Sequence, residues 1–147
     1  MTESPVTYEA RDGVGWITLN RPAKLNALST ELASVLADHA EAAAADPRAL
    51  QVVVRGAGRA FCSGMDRTAL AADTIGEAFF RHWNRALDCL EDMPKITIAV
   101  LHGYSIGGGG LRVIGERARE LGGQRVEYGR SVQGDPADSV PRFVGDG

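Results

Sequence analysis

The chain carries only two cysteines and three histidines, and no apolar run near the ~20 residues that a membrane-crossing helix requires. Cys62 and Cys89 form neither a Cys-x-x-Cys pair nor the disulfide framework of a small secreted domain. Both read as reduced, and the protein reads as cytoplasmic. The opening stretch MTESPVTYEA lacks the basic start and apolar segment of a secretory signal. There is no dense basic tract, and the formal net charge is −3, so no nucleic-acid partner is expected. No membrane partner is expected either. No His/Cys cluster has ligand spacing, so no metal site is expected.

What remains is ordinary for a globular domain. The 147 residues are 44% hydrophobic and 24% charged, enough for one domain with a real core. The pattern alternates between strands and helices. Val6 to Ala10 and Gly15 to Leu19 read as a hairpin around Asp12-Gly13. Ser29 or Thr30 can cap a helix with Leu32, Val35, Leu36, Ala40 and Ala43 on one face, and Asp46-Pro47 stops it. Gln51 to Val54 reads as a buried strand, apolar on both faces. A second helix runs from about Gly76 to Asp92. Its inner face is Phe79, Phe80, Trp83, Ala86, Leu87 and Leu90, and Pro94 closes it. Ile96 to Leu101 is another buried strand. Strands separated by helices predict an α/β fold with crossovers.

Both buried strands lead into unusual loops. One carries Gly56-Ala57-Gly58-Arg59 and then AFCSGMDR, and the other carries HGYSIGGGG. Loops at the carboxyl ends of such strands are where α/β proteins place ligands. Consecutive glycines cost conformational entropy. They are tolerated where backbone must approach a neighbour or present free N–H groups to an anion. The common glycine-loop signatures do not fit. There is no Gly-Lys-Ser/Thr, no third glycine of a dinucleotide fingerprint and no Gly-x-Ser-x-Gly elbow. Close packing of a helix on the sheet stays open as the plainer explanation.

Three segments, GWITLNRPAKLNALS, VVVRGAGRAFCSGMDR and AVLHGYSIGGG, resemble in order the signatures of the crotonase family, the enoyl-CoA hydratases and isomerases. The resemblance covers about residues 5 to 109. It implies a crotonase-like α/β fold, a spiral of ββα units. It also implies an enzyme acting on acyl-CoA thioesters, as in fatty acid metabolism. Coenzyme A would be part of the substrate and no separate cofactor would be needed. The family polarises the thioester carbonyl with two backbone N–H groups, and these map to Ser63 and Gly108. Preorganised donors of this kind stabilise the enolate-like anion, and losing one typically costs ~2.7–4 kcal/mol. Ala23, Lys24 and Leu25 match the segment lining the nucleotide end of CoA. Ala60, Ser63, Gly64, Met65 and Asp66 match the wall around the adenine and pantetheine arm, and Gly108 completes the set. Each has a plainer reading beside it: Lys24 as a solvated surface lysine, Asp66 as the cap of a following helix, and Cys62 as a packed small apolar residue. His39 and His82 are expected to face solvent, and His102 to make a structural hydrogen bond.

After Gly109 the sequence departs from the resemblance. Leu111 stands where a hydratase carries its first glutamate. The segment from Leu111 to Arg119 resembles a later strand of the family, as if a buried helix were missing. Leu111, Ile114, Ala118 and Leu121 also have helical spacing, so a helix continuing from the glycines is the alternative. Arg125 falls near the family's second glutamate. Glu116 and Glu127 are the candidate acid–base carboxylates, with Glu120 beside them. The expected organisation is therefore a core over residues 1–110 and a divergent or truncated tail over 111–147, with the family's C-terminal helical region missing. A family-type trimer or hexamer is expected only of a complete chain. The leading reading is an enoyl-CoA hydratase or isomerase. The alternative is a non-catalytic acyl-CoA-binding remnant or an interaction protein.

Overall fold

The computed structural model describes residues 3–105. Strands β1 (Val6–Arg11) and β2 (Val14–Leu19) form the expected hairpin. Asp12 and Gly13 both take positive φ, 53° and 78°. A two-residue turn needs this for its twist to match the paired strands. Strands β3 (Gln51–Gly56) and β4 (Ile96–Ala99) add in parallel, giving the order β1-β2-β3-β4. Parallel neighbours need long crossovers. Helix α1 (Thr30–Ala45) lies between β2 and β3, and α2 (Arg67–Ala71) and α3 (Glu77–Asp92) lie between β3 and β4.

The strand ends differ from the sequence pattern for local reasons. β3 continues past Val54 because Arg55 finds partners on the outer face of the sheet. Its Nε donates to Thr18 Oγ1 at 3.0 Å, and its guanidinium lies 4.6 Å from the Trp16 ring centre. Arg11 covers the same ring at 5.6 Å. β4 stops at Ala99 instead of reaching Leu101. Val100 N–H still bonds the Val54 carbonyl at 2.9 Å, an ordinary ladder distance. Beyond it the chain turns toward the loop that follows β3, where Phe61 N–H takes the His102 carbonyl at 2.8 Å.

The core lies between the inner sheet face and α1, with α3 packed on α1. Val6, Ile17, Leu19, Val52 and Val54 meet Leu32, Ala33, Leu36, Ala37 and Ala40. Ser29, and not Thr30, is the N-cap: its Oγ accepts from Leu32 N–H at 3.2 Å. On α3, Phe79, Ala86 and Leu90 are buried, and Trp83 stacks on Phe79 with ring centres 6.0 Å apart. Phe80, expected on the inner face, is about half exposed. One residue of α-helix rotates ~100°, which carries Phe80 off the face that Phe79 fills. It meets Phe79 edge-on at 5.2 Å. Arg85 ties the rim of the helix pair through Asp38 and Glu41. His39 and His82, expected to face solvent, are both half-buried. His39 Nε2 lies 3.1 Å from the Val6 carbonyl, a structural contact between α1 and β1. No helix among the described residues is long and apolar enough to cross a membrane.

The carboxyl end of α1 is closed by a cation. Lys95 Nζ donates to the carbonyls of Ala43 and Asp46, each at 2.7 Å. Those carbonyls carry the negative end of the helix dipole, which a lysine complements. Tyr8 hydroxyl donates to Asp46 Oδ2 at 2.9 Å, joining β1 to the same turn. Burial, followed by the Asp46 contact, pushes the Tyr8 phenol up to about 12. Arg48, through its side chain and its backbone N–H, holds the Asp46 carboxyl well below its ordinary range. Lys95→Met keeps the apolar stem and removes the charge. It should lower stability by about 1–2 kcal/mol, read as a fall in the urea midpoint at constant m-value.

Candidate functional site

Three loops leave the same edge of the sheet. Leu19 pairs with Gly56 and Val54 with Ala99, so the carboxyl ends of β2, β3 and β4 are neighbours. The segments after them, 20–28, 57–66 and 100–105, therefore start side by side. They remain together through backbone bonds. Phe61 N–H bonds the His102 carbonyl at 2.8 Å and Cys62 N–H the Tyr104 carbonyl at 3.0 Å, and Cys62 and Ser105 form a parallel bridge. Leu28 N–H takes the Gly64 carbonyl and Asp66 N–H takes the Leu28 carbonyl, both at 2.8 Å. His102 Nε2 lies 2.7 Å from the Gly58 carbonyl, the structural role expected of it.

Two glycines permit this approach. A Cβ on Gly103, which has φ +58°, would sit 2.1 Å from the Arg59 carbonyl oxygen. A Cβ on Gly56 would meet the carbonyls of Ala60 and Phe61 at 2.6 and 2.7 Å. In both cases the obstacle is backbone, which cannot swing aside as a side chain can.

A side chain that sequence reasoning did not single out holds the loops in register. Asn26 is fully buried. Its Oδ1 accepts from Arg21 N–H at 2.8 Å, and its Nδ2 donates to the carbonyls of Ala57 at 3.0 Å and Ala60 at 2.9 Å. It thus spans the loops after β2 and β3. Leu25 and Asn26 both take left-handed backbone, with φ of 51° and 54°. Asparagine tolerates this conformation, but for leucine it costs roughly 1–2 kcal/mol. The buried carboxamide and the short 3-10 turn at Pro22–Lys24 impose it. Arg21 adds a second tie. Its guanidinium donates to Asp66 Oδ2 at 2.9 Å and to the Ala27 carbonyl at 2.5 Å. The signal in the sequence was a polar residue between Leu25 and Ala27-Leu28, an asparagine enclosed by apolar neighbours.

The expected site residues fall into two groups. Ala23 and Lys24 are exposed, and Met65 is partly so. Leu25 and Ser63 are half-buried. These line the junction of the loops after β2 and β3. Ala60, Gly64 and Asp66 are buried. The Ala60 carbonyl is taken by Asn26. Asp66 is the N-cap of α2, its Oδ1 accepting from Thr68 and Ala69 N–H at 2.9 and 3.3 Å. The Arg21 guanidinium, more than the two amides, holds the Asp66 carboxyl below its ordinary range. The helix-cap reading of Asp66 therefore accounts for its side chain. Cys62 is packed in the core, and burial pushes its thiol up, opposed by the Gly64 N–H at 3.4 Å from Sγ.

Ser63 N–H points into the junction, where it donates to the Leu25 carbonyl at 3.0 Å. Its hydroxyl faces the Lys24 carbonyl at 3.5 Å. Gly108, Glu116 and Glu127, and the whole of 111–147, lie outside the described residues.

A family model for enoyl-CoA hydratase/isomerase matches residues 14–118. The chain belongs to the enoyl-CoA hydratase/isomerase family. Its resemblance to curated relatives includes the mitochondrial 3-hydroxyisobutyryl-CoA hydrolase of Gallus gallus, 35% identical over 75% of this chain and 30% of that protein. It also includes the "Probable enoyl-CoA hydratase echA8" of Mycobacterium tuberculosis, 33% identical over 74% of this chain and 42% of that protein. Among solved structures, an enoyl-CoA hydratase/isomerase from Xanthobacter autotrophicus Py2 is 37% identical, with a TM-score of 0.62. It is covered over 42% of its length by 74% of this chain. An enoyl-CoA hydratase/carnithine racemase from Magnetospirillum magneticum is 29% identical with a TM-score of 0.66, over 74% of this chain and 42% of that one. The chain thus spans less than half the length of these relatives. The crotonase fold expected from the three motifs is the fold observed.

Two outcomes follow from this hydratase/isomerase-family site. Gly103→Ala should cost about 2–4 kcal/mol, the sum of a left-handed alanine and a clash with backbone. Gly76→Ala, where a Cβ meets nothing within 4 Å, should cost at most about 1 kcal/mol, the difference between glycine and alanine at the N-cap of α3. Urea unfolding of the two variants checks the contrast. The Asp66 carboxyl is lowered in the fold, so its contribution is fully present above its unfolded value of about 4 and is lost as pH falls from there through the lowered folded value. Asp66→Asn should therefore be less stable than the parent at pH 7, and the gap should close as pH falls through the lowered value in the fold. Urea midpoints measured across that range test the convergence.

Proposed function

We propose that the junction of these loops binds an acyl-CoA thioester and polarises its carbonyl through backbone N–H groups. The observation that carries the reading is the Cys62–Ser105 bridge, which seats the Ser63 loop against the segment that leads to Gly108. Removing a proton beside a thioester, or adding water across its conjugated double bond, builds negative charge on the carbonyl oxygen. Fixed amides stabilise that charge without reorganising. In this reading Ser63 and Gly108 supply the donors, and the Ser63 hydroxyl has no chemical role. An entering thioester oxygen competes with the Leu25 carbonyl for the Ser63 amide, so binding shifts or shares that bond. Ala23, Lys24 and Leu25 meet the nucleotide end of CoA, and Met65 and the backbone of Ser63 and Gly64 meet the pantetheine arm. Glu116 or Glu127 would move protons, since general acid–base groups contribute typically 10²–10⁴-fold. No cofactor beyond the CoA of the substrate enters this scheme. A cytoplasmic setting, with both thiols reduced, belongs to the same proposal.

The relatives include hydrolases and hydratases by name, and the polarising step is the chemistry such reactions can share. Leu111 in place of a glutamate favours slow turnover. The test compares binding of crotonyl-CoA, its S-butyl thioether analogue and free CoA, with hydration followed through the enoyl absorbance. The thioester should bind about 3–10-fold more tightly than the thioether, the worth of one hydrogen bond. Gly108→Pro, which lacks one donor, should lower any turnover by about 10²–10³-fold. Equal affinity for thioester and thioether would sink the proposal. Thioester preference without hydration would mark a binding protein that polarises but does not turn over.

A further inference from the structure

We infer that Asn26 is a positioning residue, and that its carboxamide sets where the Ser63 amide points. The inference deepens the proposed thioester site and rests on that reading for its functional meaning. Asn26 has no exposed surface, so it meets no ligand itself. Its three hydrogen bonds instead fix two chains relative to each other. The Oδ1 bond to Arg21 N–H closes the loop after β2 on itself, and the two Nδ2 bonds hold the carbonyls of Ala57 and Ala60 in the loop after β3. Both amide hydrogens are used, in different directions, so the side chain cannot rotate without breaking at least one bond. No other residue type of that size offers one acceptor and two donors in a plane.

The consequence reaches Ser63 along short paths on both sides. Asn26 is bonded directly to Leu25, whose carbonyl accepts the Ser63 N–H at 3.0 Å. Ala60, held through its carbonyl, lies three residues before Ser63, and the intervening Phe61 and Cys62 amides are fixed to His102 and Tyr104. The Leu25 carbonyl points at Ser63 because Leu25 and Asn26 are held in left-handed backbone. Without the carboxamide, only the backbone bonds of the short turn at Pro22–Lys24 are left to hold that unfavourable conformation at leucine. The loop would relax, and the donor and the carbonyl that guards it would part. A displacement of about 1 Å is enough to lose an oriented contact with a reacting carbonyl.

Amide hydrogen exchange on the full chain tests this without any ligand. In the parent, the Asn26 carboxamide protons and the Ser63 amide should open together, with one shared opening energy lower than that of Val53 in β3. In Asn26→Asp, which keeps the size but loses both donors, Ser63 should exchange at least ~10-fold faster relative to Val53 than in the parent. Asn26→Ser serves if the aspartate variant does not fold. Leu36→Ala, in the α1 core, controls for lost stability: it should speed Val53 and leave the local opening at Ser63 nearly unchanged. Thioester preference over the thioether should fall toward one in the Asn26 variants and persist in Leu36→Ala. Independent opening of Asn26 and Ser63 in the parent, or Ser63 tracking Val53 in the variants, would overturn the inference. A parent that exchanges as expected but shows no thioester preference would refute the proposed function while leaving the positioning role of Asn26 standing.

Discussion

Everything at the site depends on the parallel pairing of β2, β3 and β4. An antiparallel strand would return its loop to the opposite edge. Parallel strands send every following loop to the same edge, at the cost of a helical crossover for each. The register then decides which loop residues become neighbours. Leu19 beside Gly56 and Val54 beside Ala99 start the three loops level with one another. Helices α1 and α3 are the return paths that this arrangement requires, and their apolar faces supply the core.

Loops that converge in this way bring many backbone polar groups out of water. Each buried amide or carbonyl needs a partner. The structure supplies them from loop to loop: Phe61 to His102, Cys62 to Tyr104, Leu28 to Gly64 and Asp66 to Leu28. Side chains supply the rest, with Asn26 and Arg21 serving the carbonyls and Asp66 the amides of α2. No buried side-chain nitrogen or oxygen among the described residues lacks a partner. Backbone direction in the three loops is set by this network.

The division between helix faces and loops also explains the exposed apolar residues. Phe79 and Phe80 are adjacent and equal in hydrophobicity, yet one is buried and the other half exposed. Helical geometry turns them ~100° apart, so only Phe79 faces the core. Met65, just before α2, and Leu70, within it, are also exposed, at a helix too short to bury a face.

The sequence by itself determined the elements and the family. Period-two and helical spacing placed the hairpin, α1, β3 and α3, because burial of one face is a local, repeating demand. Asp12-Gly13 fixed its turn, because only such residues take two positive φ angles cheaply. Three ordered motifs carried the crotonase resemblance. The tertiary structure decided what no spacing encodes. Asp66, already readable as a helix cap, became an ion-pair partner as well, because Arg21, 45 positions away, comes within reach only when the loops meet. Ala60 was drawn inside, because its carbonyl was needed by Asn26. β4 ended early, because its last residues were claimed by a neighbouring loop. Asn26 looked like one more polar residue in a turn. Its importance arises from three partners, two of them more than thirty residues away, and hydrogen bonds between distant segments leave no periodic trace in the chain.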